Sequence, residues 1–301
     1  MKLTRFRANI VIVLITIIWG SGFIFTKYCI NAGMQAGLIN VFRGFIFMAL
    51  TFIFFHKKIL KMNKHEVKVG LIAGTINGAA FVMQAYGLSY ASASTSAFLT
   101  ILYIVMVPFV TWLFYKRKPK LQIIPAILIA VAGTLILTGT SFEGFGFGKG
   151  EWLTLGGTVL FALDIAYLGE ASKDAGAEVM SFWMGLMQTL CGLIAFLCVE
   201  TATVSSIDWG TAILPLIYLG VVGTFMTTVA QVFCQKVTDE TSASMIMTLE
   251  AVFGSAFSLA LGMEAFSFNL LIGGILIFVG VLIALADFVR LKSNMKKLFI
   301  K

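Results

Sequence analysis

HKKILKMNKHEVK, residues 56–68, separates two apolar runs and holds five lysines, whereas ETATVSSIDWG, residues 200–210, takes the same place in the second half and has no Lys or Arg. YKRKPK (115–120) against GMEAFS (262–267) repeats the contrast. Short membrane loops keep their Lys and Arg on the cytoplasmic side, so equivalent loops of the two halves are expected on opposite faces of a bilayer. The runs between such breaks number ten, at about 8–28, 38–55, 69–88, 92–115, 121–138, 151–169, 179–199, 211–235, 241–263 and 268–289. Most are near the roughly 20 apolar residues that a spanning helix needs. With a cytoplasmic amino terminus, the loops and tails on that side hold 19 of the 22 Lys and Arg, the exceptions being Lys27, Arg43 and Lys149. Both termini are therefore expected in the cytoplasm and the chain in the cytoplasmic membrane, surrounded by lipid.

Composition excludes the alternatives. Of 301 residues, 59% are AVILMFWYC and 12% are charged, against about a quarter charged in soluble domains. Ten helices use about 200 positions, which leaves no room for an extramembrane domain. The runs are continuous rather than alternating, which argues against a barrel. The net charge of +8 lies in loops, not on a soluble face with aromatic readers, so nucleic acid is not an expected partner. Cys29, Cys191, Cys198 and Cys234 show no metal spacing, and His56 and His65 bracket one basic loop. No metal or cofactor is expected. The first run is longer than a signal-peptide core and lacks a clean cleavage site.

The halves also resemble each other. Thr95-Ser96-Ala97 recurs 146 positions later as Thr241-Ser242-Ala243, Gly133 in ILIAVAGTLIL matches Gly280 in ILIFVGVLIAL at 147, and Trp19-Gly20 aligns loosely with Phe161-Ala162 at 142. Each half then holds five helices, and an odd number makes the second copy enter upside down. The expected fold is an all-α polytopic membrane protein: ten helices in an inverted five-plus-five repeat, with residues 1–140 as one half and 141–301 as the other. Such repeats build solute carriers with a path near the midplane.

WGSGFIFTK, INVFRGFIFMAL, AYGLSYASASTSAFLTILYIVMVPFV and TSASMIMTLEAVFGSAFSLALGMEAF, in that order, resemble the EamA branch of the drug/metabolite transporter superfamily. The resemblance covers about residues 8–289. It implies a ten-helix carrier of small organic solutes, such as amino acids, nucleosides, cationic drugs or cofactor precursors, often exporting them. Two details depart from the family pattern: Tyr115-Lys116-Arg117-Lys118 has no acidic residue where the fourth helix ends, although the ninth keeps Glu264, and no proline follows Glu250.

A charged side chain at the centre of a membrane helix costs about 2.5 to 3.5 kcal/mol on insertion scales. Asp164 lies in the middle of the sixth run and Glu250 in the middle of the ninth, while Arg43 and Lys27 sit towards the outer ends of the second and first. Asp164 is the foremost candidate for substrate charge or proton handling. Lys27 is equally placed to snorkel, and Arg43 and Glu250, which match positions common in the family, to serve the fold. Asn77, Gln84, Gln188 and Gln231 are candidates for lining a cavity or for bonding neighbouring helices. Asn77 and Gln84 are seven apart and share a helix face. Trp19, Tyr86, Tyr103, Tyr167 and Trp183 are candidate aromatic walls for a cation. Glycine pairs such as Gly20 and Gly22 or Gly70 and Gly74 let helices approach, and SFEGFGFGKGE (141–151) lacks the spacing of a phosphate loop.

The expected function is secondary transport of a small organic solute by alternating access, with export the expected direction and protons a candidate coupling ion. An intramembrane enzyme needs a nucleophile with its base, a metal set or paired carboxylates, and only Asp164 with Glu250 approaches that. A sensor or scaffold usually adds an output domain, for which the chain has no length.

Overall fold

The computed structural model describes residues 3–91, 93–138, 148–200, 204–261 and 266–286. Most of the glycine-rich loop at 141–151, Glu264 and the basic tail beyond 286 lie outside them. The helices are α1 (Arg5–Asn31), α2 (Ala36–Ile59), α3 (Lys64–Tyr90), α4 (Ala93–Ile101), α5 (Tyr103–Tyr115), α6 (Ile123–Thr138), α7 (Lys149–Ala171), α8 (Ala177–Val199), α9 (Trp209–Gly220), α10 (Thr227–Gln235), α11 (Glu240–Met247), α12 (Leu249–Ala260) and α13 (Phe268–Leu285). Three pairs form single spans: α4 with α5, α9 with α10 through a π-helical stretch Val221–Met226, and α11 with α12. Among the described residues nine spans are long and apolar enough to cross a membrane, and Ile123–Leu137 is a shorter tenth. The chain is an all-helical, ten-span membrane protein.

Polar residues mark where helices start. Asn63 accepts from Glu66 N–H while the Glu66 carboxylate accepts from Asn63 N–H, a capping box that opens α3. Asp239 accepts from Ser242 N–H and Ser267 from Leu270 N–H to open α11 and α13. Gly33, at φ +89°, makes the turn between α1 and α2, a conformation that glycine adopts without steric cost.

The α2/α8 pair forms one edge of the bundle and the α6/α13 pair the other. Between them α1 packs on α9, α10, α11 and α12, as α7 packs on α3, α4 and α5. Glycine sets the α6/α13 spacing: a Cβ on Gly133 would lie 2.8 Å from Gly273 O, and one on Gly280 would lie 2.8 Å from Ala126 O. Shifting either contact by 147 residues turns it into the other, so the two helices cross about a pseudo-two-fold. The fourth and ninth spans carry matching joints. At Leu102 and at Thr248 the ladder loosens to i−3 bonds (Leu102 N to Leu99 O, Val105 N to Leu102 O; Thr248 N to Met245 O, Ala251 N to Thr248 O), 146 residues apart. Large apolar side chains such as Ile53, Phe54, Leu113, Leu197 and Phe278 face outwards, where a lipid bilayer would meet them.

Candidate functional site

A cavity of about 830 Å³, its mouth included, lies between the central spans. From α1 it takes Trp19 and Thr26, from α2 Arg43, and from α3 Asn77, Phe81, Gln84 and Leu88. Across from these stand Thr100 and Tyr103 of the fourth span, Phe161 and Asp164 of α7, Gln231 of α10 and Glu250 of α12. The walls run from the level of Asp164 and Met247 to Thr26 and Leu88, near the far ends of α1 and α3.

Asp164 is 1% exposed. Asn77 Nδ2 donates to its Oδ2 at 2.8 Å, while Asp164 Oδ1 and Asn77 Oδ1 have no hydrogen-bond partner. Arg43 is also buried; its Nε donates to Thr224 Oγ1 at 3.0 Å, and its guanidinium lies over the Phe81 ring at 4.6 Å. That stacking suits a planar cation in a poorly hydrated place. Thr224 Oγ1 donates in turn to Leu219 O, five residues back, at 2.7 Å, so the π-helical stretch is what presents the Thr224 hydroxyl to Arg43. Among the described residues no ion pair involves Arg43, Asp164 or Glu250. Three buried ionisable side chains thus share one cavity without bonding one another, an arrangement that is costly for any of them that is charged unless something else meets it.

The ends of the bundle differ. At the end where α1 begins, Arg117 reaches both Glu170 of α7 and Glu240 of α11 (3.3 Å), Lys173 pairs with Glu170 (2.8 Å), Arg5 with Asp239, and Lys58 with Glu178. The Glu240 side chain is only 4% exposed. At the other end Lys27 Nζ donates to Leu88 O at 3.2 Å, and Glu200 accepts from the N–H groups of Gly37 and Leu38 and from Tyr86 Oη (2.9 Å). That carboxylate sits on the positive N-terminus of α2 and ties together α2, α3 and α8.

Of the residues singled out in the sequence, the cavity gathers Trp19, Arg43, Asn77, Gln84, Tyr103, Asp164, Gln231 and Glu250. The Trp19 indole N–H donates to Thr227 Oγ1 (3.0 Å), and Gln84 Nε2 to Thr100 Oγ1 (3.3 Å). Five others lie elsewhere, Tyr86 among them with its hydroxyl on Glu200. Lys27 caps a carbonyl at the mouth, Tyr167 packs in the cluster built on Phe47, Leu168 and Met180, and Trp183 lies against Gly70 with its indole N–H on Met62 Sδ. Gln188 Nε2 donates to Asn40 Oδ1 (3.2 Å) inside the α2/α8 pair. Phe81, Phe161, Thr100 and Thr228 line the cavity without having stood out in the sequence. A signal for Phe161 was present, since it takes the place of Trp19 in the repeat.

The family model for the EamA-like transporter family matches the chain twice, over residues 6–139 and 148–286. The chain belongs to the EamA-like transporter family. Among its relatives is an uncharacterized transporter of Archaeoglobus fulgidus, 29% identical over 279 residues that cover 93% of this chain and 86% of that one. Another, the uncharacterized transporter YvbV of Bacillus subtilis, is 24% identical over 215 residues, 69% of this chain and 68% of its own. A protein of known crystal structure shares the fold with a TM-score of 0.76, 16% identity and coverage of 92% and 96%. The EamA-like chain is a multi-pass membrane protein of a transporter family, and its central cavity is the feature with which such a protein would meet a solute.

Proposed function

We propose that this EamA-like protein is a secondary transporter that moves a small organic solute across the cytoplasmic membrane by alternating access. Its two inverted halves, residues 1–140 and 141–301, rock about the cavity, with both termini cytoplasmic, export as the working direction and protons as the coupling ion. The observation that carries this reading is the set of three buried, mutually unpaired charges, Arg43, Asp164 and Glu250, in one midplane cavity. A permanent structural role would pair them, because an unmet charge in a membrane helix costs about 2.5 to 3.5 kcal/mol. A passing solute or proton meets them transiently. The ion pairs across the end that holds Arg117, and the cavity walls that continue towards the opposite end, support a state closed to the cytoplasm and facing out.

The test is flux in reconstituted vesicles. Labelled amino acids, polyamines, nucleosides and quaternary ammonium compounds are followed with and without a pH gradient. Saturable flux of at least one class is expected, with its rate set by the gradient. Rates no faster than in protein-free vesicles for every class would refute the proposal.

A further inference from the structure

Glycines of this bundle mostly mark places where helices touch. A Cβ on Gly20 would lie 2.6 Å from Gly254 N, one on Gly44 2.4 Å from Thr189 N, and one on Gly74 2.7 Å from Met184 Cα, so a larger residue there would push two helices apart. Among the described glycines, Gly22 alone has nothing within 4 Å of the Cβ it lacks, and it lines the cavity. It sits inside α1 without a positive φ, so its backbone accepts any L residue. Glycine is less favourable than alanine in a helix interior, and here neither packing nor backbone calls for it. What it leaves is a notch in the α1 wall. Trp19, three residues before, and Thr26, four after, share its helix face and also line the cavity, and the bond from the Trp19 indole to Thr227 holds one side of the notch in place. The offset of 142 that aligns Trp19 with Phe161 sets Gly22 against Asp164. One half of the chain thus projects a carboxylate into the cavity where the other leaves room.

We propose that the notch at Gly22 is a subsite for an apolar or aromatic portion of the solute, and that the missing side chain sets how bulky that portion can be. This rests on the transport reading of the cavity and gives it a specificity-determining residue. The walls give the class of group, since the lining residues of α1 around the notch, Trp19, Phe23 and Thr26, carry no charge and offer ring surfaces and a methyl group. A side chain added at position 22 takes up this room without displacing a helix, so it changes which solutes fit while the fold stays as it is. The same change two residues earlier, at Gly20, strikes the backbone of α12 and acts on folding instead.

The experiment measures melting of the purified, full-length protein in detergent and its binding of probes by calorimetry, for wild type, Gly22→Ala, Gly22→Val, Gly22→Leu and Gly20→Ala. The probes are series of rising bulk: glycine to tryptophan, putrescine to spermine, cytidine to guanosine, and tetramethylammonium to tetrapropylammonium. Gly22→Ala should melt no lower than wild type, because the helix gains and nothing is struck, whereas Gly20→Ala should melt lower. In the series that wild type binds, the ratio of affinities between its smallest and its bulkiest bound member should widen at least about tenfold in Gly22→Leu, with Gly22→Val between, because the bulkier group overpacks the filled notch. An unchanged ratio, equal weakening of every member, or no binding of any probe by wild type overturns the inference. So does a Gly22→Ala that melts as low as Gly20→Ala, since the room would then be filled; that result decides the matter even if Gly22→Leu fails to fold. Flux in vesicles with an unchanged ratio would leave the carrier standing without this subsite. A widened ratio without flux of any solute would do the opposite.

Discussion

Replacing Asp164 by Asn separates the requirements of folding from those of transport. The side chain is fully enclosed, one oxygen accepts from Asn77 and the other meets nothing. An asparagine fits the same space and can still accept from Asn77. The change removes an insertion cost of about 2.5 to 3.5 kcal/mol and gives up about 1 kcal/mol by which a charged acceptor exceeds a neutral one. The variant is thus expected to be about 2 kcal/mol more stable, and at about 2 to 4 °C per kcal/mol to melt about 4 to 8 °C higher than wild type. Transport should fall at least about tenfold or lose its dependence on pH. The assays are thermal unfolding of both proteins in the same detergent and flux in vesicles. A lower melting temperature together with wild-type transport and pH dependence would refute the reasoning, since Asp164 would then be a structural acceptor for Asn77.

Three further outcomes follow from the geometry. Cysteines introduced between residues 56 and 68 should react with impermeant reagents only from the cytoplasmic side, and those between 204 and 208 only from outside; labelling of both from one side would remove the inverted topology. Gly133→Leu, whose Cβ would meet Gly273 O at 2.8 Å and Ile277 N at 2.9 Å, should force α6 and α13 apart and cost at least about 2 kcal/mol, read as lost yield and a lower melting temperature; unchanged melting would show that the contact is slack. Arg117→Gln leaves the enclosed Glu240 without its cation, so a Met247→Cys reporter in a protein free of other cysteines should label faster from the cytoplasmic side, and an unchanged rate would mean that these ion pairs do not close that end.

The sequence was informative about the fold because charge and length act on whole segments. Five lysines in 56–68 against none in 200–210, together with the repeats at 146 and 147, suffice to expect ten spans. The cavity was harder to read because depth in the membrane does not say which face of a helix turns inwards. Gln188 and Gln231 are both mid-helix polar residues, yet one bonds Asn40 within a helix pair and the other lines the cavity. Trp183 lies one turn from the basic-end turn that carries Met62, and an amphipathic ring settles there as readily as in a cavity. The repeat held more than its motifs suggested. An offset of 147 sets Gln84 against Gln231 and Tyr103 against Glu250, and all four line the cavity. Thr100 and Thr228 could not be picked out, because a threonine inside an apolar run commonly satisfies itself on its own helix.

The π-helical stretch Val221–Met226 has no twin at the equivalent positions 74–79, which lie within unbroken α3. A π turn stores one extra residue in a helix, and one residue corresponds to about 100° of rotation. Relaxing the stretch to regular α-helix would turn α10 like a shaft relative to α9 with little displacement of its axis. Thr228 and Gln231 would swing off the cavity wall, and the Thr224 hydroxyl would leave Arg43. Such a turn would also carry Val229, Val232 and the Gln235 amide away from their present partners, so the stretch links the cavity wall to the packing of α10.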